Sequence, residues 1–307
     1  MVALPVTRDT PPVPVAVPVV RSAALRGMGW MLVAGFLLVA MNAVMRAMTQ
    51  EMSPLQAQFL RYAFGLAVML PLLVRHGAAA YRPRRMSGQL WRGAVHTAGL
   101  TLFFLALPHL TLAEMTAILF ITPVFTLLGA ALLLHERVSA ARWAAAAVGL
   151  AGVVVVLWPR LNAGSAWSLV MLAATPFFAG SILITKALTR HESAGVIVMW
   201  QNVTITLFAL PLALPFWQAP TATQWLLLAA CGLLGSVSHW CMTRAFTLGD
   251  VSAMQPMRFM DLVWSSLLGL MIFGDLPTPH ALVGGTVILA ATLWIARRES
   301  AERLPPT

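Results

Sequence analysis

Ten apolar runs follow one another along the chain, with connections too short for a soluble domain to fold between them: 27–48, 54–74, 90–109, 112–134, 142–158, 166–188, 195–216, 224–246, 251–273 and 280–297. Each approaches the ~20 residues that a helix needs to cross the hydrocarbon core of a bilayer. The runs are continuous and rich in Leu and Ala rather than alternating, which selects helices over the strands of a membrane barrel. With 59% hydrophobic and 10% charged residues, a water-soluble fold of this size could not cover its exterior with polar groups. An all-α membrane protein with ten transmembrane helices is therefore predicted. Pro71, Pro108, Pro123, Pro176, Pro211 and Pro256 are the positions where helices are expected to bend or end. Residues 1–24 carry Pro5, Pro11, Pro12, Pro14 and Pro18, a density that reads as a disordered leader and interrupts any signal-peptide core.

The net charge of +10 could suggest a nucleic-acid partner, but its distribution argues otherwise. With ten spans both termini share one side. That side collects Arg8, Arg21, Arg26, Arg75, Arg82, Arg84, Arg85, Arg92, Arg137, Arg142, Lys186, Arg190, Arg244, Arg297, Arg298 and Arg303, sixteen of the twenty basic residues. The other side holds only Arg46 and Arg160, while Arg61 and Arg258 fall within spans. Such a bias places both termini in the cytoplasm and accounts for the charge without nucleic acid. The Arg82, Arg84 and Arg85 cluster is suited to anionic lipid headgroups.

The chain also repeats itself. A shift of 140 lays Arg46-Ala47-Met48-Thr49 on Lys186-Ala187-Leu188-Thr189, Ser53 on Ser193, and Leu70-Pro71-Leu72 on Leu210-Pro211-Leu212. A shift of 139 lays Glu136 on Asp275, Met115 on Met254 and Ala106 on Ala245. Two units of five spans follow, 25–158 and 165–298, with 299–307 left as a cytoplasmic tail. Five is odd, so the second unit must enter the membrane upside down relative to the first. Inverted repeats recur in secondary transporters, with the substrate site between the halves near the midplane; duplication with a purely structural purpose is the alternative.

These features, together with particular fragments, resemble the drug/metabolite transporter superfamily and its ten-helix EamA-type members over about residues 27–298. In the first half the fragments are Leu112-Ala113-Glu114-Met115-Thr116-Ala117, Pro123, His135-Glu136-Arg137-Val138 and Gly149 to Gly152. In the second they are Thr243-Arg244-Ala245-Phe246, Pro256, Phe273-Gly274-Asp275-Leu276-Pro277 and Gly284-Gly285. The Ala113-Glu114 and Thr243-Arg244-Ala245 variants resemble a branch of riboflavin or S-adenosylmethionine importers and opine-metallophore exporters. The resemblance implies a basket of helices around a central cavity, alternating access, and a topological rather than chemical duty for Glu136 and Asp275.

Polar groups within spans are expensive in hydrocarbon and usually face a cavity. Arg258 and Asp261 sit near the middle of span nine, three residues apart on one helical face, either as a structural ion pair or as a substrate-facing one. Arg61 lies two turns into span two, either in the site or snorkelling or in a helix–helix contact, and Glu114 lies about one turn into span four from the outer side, either in the site or simply solvated. His96 and His239 read as packing residues or proton relays, and Asn42, Gln201, Asn202 and Gln255 add uncharged donors and acceptors. The candidate substrate-binding set is thus Arg258, Asp261, Glu114, Arg61, His239, His96, Asn202 and Gln255.

No metal, cofactor or catalytic residue is expected. His135-Glu136 lacks a second His four residues on, Cys231 and Cys241 have no zinc spacing, and no Gly-rich loop with Lys could hold ATP. Glu114 and Asp261 match Arg61 and Arg258 in charge, which disfavours polyanions, and span one has no acid of the kind a lipophilic-cation exporter would use. The prediction is a non-enzymatic secondary transporter of a small neutral or zwitterionic metabolite in a bacterial inner membrane. Its partners would be the lipid bilayer, the substrate and a candidate coupling proton, and it would act as a monomer or homodimer. Export of amino acids or of cationic drugs and toxic metabolites, and a membrane-embedded enzyme, are the alternative readings.

Overall fold

The structure is a computed structural model and describes residues 17–133, 139–162, 166–249, 251–254, 257–258, 260–276 and, in the last span, 279–280, 282–287, 290–291 and 294. Among them every regular element is a helix. In chain order these are α1 (Val17–Glu51), α2 (Pro54–His76), α3 (Met86–Ala106), α4 (Leu112–Leu119), α5 (Thr122–Leu133), α6 (Ala140–Asn162), α7 (Ala166–Leu188), α8 (Ala194–Ala213), α9 (Ala222–Leu248), α10 (Val251–Met254) and α11 (Met260–Phe273). Seven described segments are long and apolar enough to cross a membrane, and two shorter apolar helices, Trp143–Gly152 and Met260–Phe273, fall in the fifth and ninth expected spans. Residues 282–287 add a helical piece within the tenth. Pro256, Gln255 and the His135-Glu136-Arg137 motif lie outside the described residues.

Helix α1 starts earlier than the proline density suggested. Residues 17–24, read from sequence as disordered leader, belong to α1. Pro18 is compatible with this because it occupies the first turn, where a helix has no use for the missing N–H. By contrast, Pro176 and Pro211 lie within α7 and α8, which continue through them.

Span four breaks where Pro123 withholds a donor. The ladder tightens before it, with the Phe120 N–H donating to Ala117 O at 3.2 Å and the Ile121 N–H to Ile118 O at 3.1 Å, and α5 then restarts at Thr122. Span nine is likewise divided, into α10 and α11. The starts of α4 and α10, Leu112 and Val251, are 139 residues apart, so both repeats break the same span.

Packing follows the repeat. α1 lies on α9 as α7 lies on α3; α1 touches α11 as α7 touches α5; α2 meets α9 as α8 meets α3; and α2 and α8 face each other. Each repeat therefore completes its core only against the other. On α1, Met41, Met45 and Met48 recur at helical spacing and, with Met52 just past its end, are all buried, flexible thioethers filling the seam between halves. The free thiols Cys231 and Cys241 are buried within α9. Leucines, valines and tryptophans cover the outside instead; Trp158, Trp167, Trp217 and Trp225 are exposed near helix ends, as interfacial anchors would be.

Opposite ends of the bundle are tied differently. At the end carrying Arg82, Arg84 and Arg85, the Glu192 carboxylate accepts from the backbone N–H groups of Arg84 (2.7 Å) and Arg85 (2.9 Å), and the Trp200 indole donates to Tyr81 O at 2.9 Å. At the far end Gln56 and Gln218 exchange two hydrogen bonds, Nε2 to carbonyl at 2.5 Å and backbone N–H to Oε1 at 2.9 Å. Arg46 there joins α1 to Asp275 at 2.5 Å, with its guanidinium over the Phe273 ring.

Candidate substrate cavity

A cavity opens between the two halves. Five long helices and both broken spans contribute to it. α1 supplies Leu38, Met41 and Asn42; α2 supplies Arg61 and Tyr62; α3 supplies His96, Phe103 and Phe104; α7 supplies Phe178; and α9 supplies His239. Leu119 and Thr122 come from the break between α4 and α5, and Arg258 from the stretch before α11. Discontinuous helices beside a site between repeats are a recurring transporter feature, because backbone released from a helix is tolerated only where it lines a cavity or is buried in protein.

The wall is aromatic with a few polar groups. Arg61 is 3% exposed, and its guanidinium lies over the Tyr62 ring, 3.9 Å from the centroid. Its Nε–H donates to the thioether of Met41. A Cβ on Gly235 would collide with Arg61 Nη2, so a glycine at this point of α9 makes room for the guanidinium. Among the described residues no carboxylate is within ion-pair distance of Arg61. The phenol of Tyr62 and Nε2 of His96 are 3.3 Å apart, and His96 Nδ1 is 2.8 Å from the Ser181 hydroxyl. His96 also packs against Phe178, and its ring meets that of His239 edge to face at 5.7 Å. Phe103 completes the slot against Phe178.

Arg258 borders a second, smaller pocket as well. That pocket is lined by Leu38, Val39, Asn42, Thr116, Leu119, Phe120, Arg258 and Asp261, and so shares Leu38, Asn42, Leu119 and Arg258 with the larger cavity. Arg258 Nε lies 3.6 Å from Asp261 Oδ2.

The sequence-derived candidates separate clearly. Arg61, His96, His239 and Arg258 converge on the cavity, with Asp261 beside it, whereas Gln255 lies outside the described residues. Glu114 does not reach it: the residue sits at the third position of α4 in a capping box, its carboxylate accepting from the Thr111 N–H while the Thr111 hydroxyl accepts from the Glu114 N–H. Asn202 is also placed elsewhere, donating to the Ser236 hydroxyl at 3.1 Å between α8 and α9. Arg92, counted from sequence among the cytoplasmic charges, is buried, donating to the Thr185 hydroxyl, the Ile197 carbonyl and Gln201 Oε1 and so clamping α3 to α7 and α8. Sequence reasoning misses the apolar and aromatic wall, Tyr62, Phe103, Phe104 and Phe178. Tyr62 is the detectable one, since the chain has two tyrosines and a phenol inside a span needs a partner.

Membrane-crossing helices in two interlocked sets, two broken spans and a cavity between the sets together define a membrane-embedded carrier, a small-metabolite secondary transporter. The chain belongs to the EamA-like transporter family, whose model matches residues 25–158 and again 165–297. It is 30% identical over 281 residues to a riboflavin transporter of Vibrio cholerae, covering 90% of this chain and 94% of that one. A riboflavin transporter of Rhizobium johnstonii is 32% identical, with 93% and 95% covered, and an S-adenosylmethionine uptake transporter of Rickettsia felis is 28% identical, with 90% and 94% covered. The fold is similar to that of a solved crystal structure at 20% identity, with a TM-score of 0.69 over 91% of this chain and 99% of the other. The protein is thus a multi-pass membrane member of a bacterial transporter family.

Proposed function

We propose that this chain carries a small, flat, neutral or zwitterionic heteroaromatic metabolite across a bacterial cytoplasmic membrane by alternating access, acting as a carrier and not an enzyme. The observation that carries the reading is the cavity itself: an aromatic slot between the repeats, with Arg61, His96, His239 and Arg258 supplying polar contacts at its wall. A planar ring gains stacking and apolar burial there, while carbonyl or ring-nitrogen acceptors on its edge meet N–H donors. Riboflavin, transported by two of the relatives, is the first candidate, and S-adenosylmethionine the second. Cationic drugs fit less well, because two arginines border the cavity and the nearby Asp261 carboxylate is paired with one of them.

In this reading the two matched segments are inverted repeats that rock against each other, with both termini cytoplasmic, a proton as coupling ion, and a monomer or homodimer as the working unit. Ties at both ends, Glu192 with Arg84 and Arg85 at one and Gln56 with Gln218 at the other, support this reading, because alternating closure needs contacts at each end. Arg258 and Asp261 change their pairing as the carrier switches.

Uptake of labelled riboflavin into proteoliposomes, with counterflow, tests the reading. Saturable uptake, accelerated by unlabelled riboflavin inside, is the expected result; an unchanged substrate with no flux, or a converted product, counts against it. Single cysteines at Ala79 and Ala222, both exposed, in a background lacking Cys231 and Cys241, should label from opposite sides of intact cells. Labelling of both from outside would overturn the orientation.

A further inference from the structure

We propose that Asp261 is the proton-binding site of this carrier, and that Arg258 transmits its protonation to the substrate cavity, making proton and substrate bind together. The inference rests on the carrier reading above and adds the site and the sign of coupling.

Among the described residues Asp261 is the carboxylate held in the middle of the bundle; Glu51, Glu114, Glu192 and Asp275 all lie near its two ends. It is 5% exposed, and its two oxygens are unequal. Oδ2 faces Arg258 at 3.6 Å, too long for a hydrogen bond, so the ion pair is loose. Oδ1 turns toward α1 and presses on Gly35, where there is no room for a Cβ. An ionised oxygen against an apolar backbone surface loses its hydration without gaining a donor, whereas a protonated one loses far less. The site therefore accommodates either state of the acid, as a proton carrier must.

The groups facing this acid are few. From α1 they are the Asn42 carboxamide and apolar Leu38 and Val39; from the α4 segment, the Thr116 hydroxyl; from its own approach, Arg258. The helical piece at 282–287 contributes Gly285 against Leu262. Arg61, His96 and His239 border the neighbouring larger cavity. A metal cation would meet the guanidinium of Arg258 in the same small pocket, which makes a proton the better ligand.

Arg258 borders both pockets, and this gives the coupling its sign. With Asp261 ionised, the guanidinium is held toward the carboxylate. When a proton from the acidic compartment forms an O–H bond on Asp261, the counter-charge disappears and Arg258 is released to donate to an acceptor on the substrate. When the same O–H bond breaks on the other side, Arg258 is recaptured and the substrate loses its donor. No bond in the substrate changes. Linkage requires that if the proton raises substrate affinity, substrate raises proton affinity by the same factor, so the two travel together as symport.

Two measurements on the full chain test this. The first is infrared difference spectroscopy of purified protein in lipid, titrated in the absence of substrate. A C=O band of a buried protonated carboxylic acid should appear as pH falls in the wild type and be missing in Asp261→Asn. The second is riboflavin flux in proteoliposomes. Asp261→Asn, which mimics the protonated acid, should lose at least about tenfold in accumulation driven by an acid-outside gradient, a larger loss than the same variant shows in riboflavin counterflow without a gradient. Asp261→Glu retains a titrating carboxyl and should keep gradient-driven accumulation with a displaced pH dependence; it also serves should the Asn variant not fold. An infrared band unchanged by Asp261→Asn, or gradient-driven accumulation by that variant equal to wild type, overturns the proposal. If the wild type moves neither riboflavin nor S-adenosylmethionine, the substrate reading fails, and the infrared band still decides the proton site.

Discussion

Arg61-Tyr62 on α2 and Gln201-Asn202 on α8 occupy equivalent positions in the two repeats, 140 residues apart, yet they are put to different uses. The first pair lines the cavity, the guanidinium lying over its neighbour's ring. The second pair is committed to packing, with Gln201 accepting from Arg92 and Asn202 donating to Ser236. Duplication preserved which helix meets which, because apolar faces of similar shape must cover each other for either half to be stable. It did not preserve the polar chemistry, because one cavity between two halves needs only one set of donors. A polar residue in a membrane helix can be functional or can merely satisfy a neighbour, and its position in the repeat does not say which.

The largest effect that would test this contrast is expected at Arg92, which serves the second pair. Arg92→Ala removes three hydrogen bonds and leaves the Gln201 and Thr185 side chains buried without their donor. A loss on the order of 3 kcal/mol is expected, read as a lowered melting temperature in detergent. A melting temperature unchanged from wild type would remove Arg92 from the scaffold.

Transplanting one repeat's residues into the other sharpens the comparison further. Arg61→Gln with Tyr62→Asn gives α2 the pair found on α8. The variant should reach the membrane and fold, yet lose at least about tenfold in riboflavin uptake, about 1.4 kcal/mol of stabilisation, because a charged donor and a ring are gone from the cavity. Uptake near the wild-type rate would mean that α2 and α8 are interchangeable after all.

Asn202→Ala should do the reverse on a smaller scale. It forfeits one buried hydrogen bond, about 1 kcal/mol, and leaves the KM for substrate within about twofold. A large rise in KM with normal stability would return Asn202 to the site. Smallest of all is Glu114→Gln. Glutamine can close the same capping box, so the start of α4 should be kept and uptake should not change. If uptake collapses while the protein stays folded, Glu114 has a role that its cap does not explain.

Much of the architecture is legible in the amino-acid order itself. Solvent chemistry alone forces an apolar run of about twenty residues into a helix, and an odd-membered duplication forces inversion. The 140-residue shift that lays Ser53 on Ser193 matches the residues just before α2 and α8, and Pro123 marks the break in span four. The prolines in α7 and α8 are ambiguous in sequence because a neighbouring helix can absorb a freed carbonyl. Proline density misplaces the start of α1 because Pro18 falls in a first turn. Charge position along a span is a weaker guide. Arg92 sits near the basic end of α3, where the positive-inside rule claims it for solvent, but its side chain turns inward to three neutral acceptors.

What the sequence determined by itself, then, was solvent, element type and internal symmetry, since each depends on local composition or on spacing that one chain displays. The tertiary structure decided which polar groups share a space. Arg61, His96, His239 and Arg258 are scattered over nearly two hundred residues, and Glu114 and Asn202 look as eligible as they do. Only the packing of α1, α2, α3, α7 and α9 turns the first four toward one cavity. The capping box and the Ser236 contact hold the other two away. A side chain's direction is set by the partner helix it meets, and that partner lies in the other repeat, out of reach of any local reading.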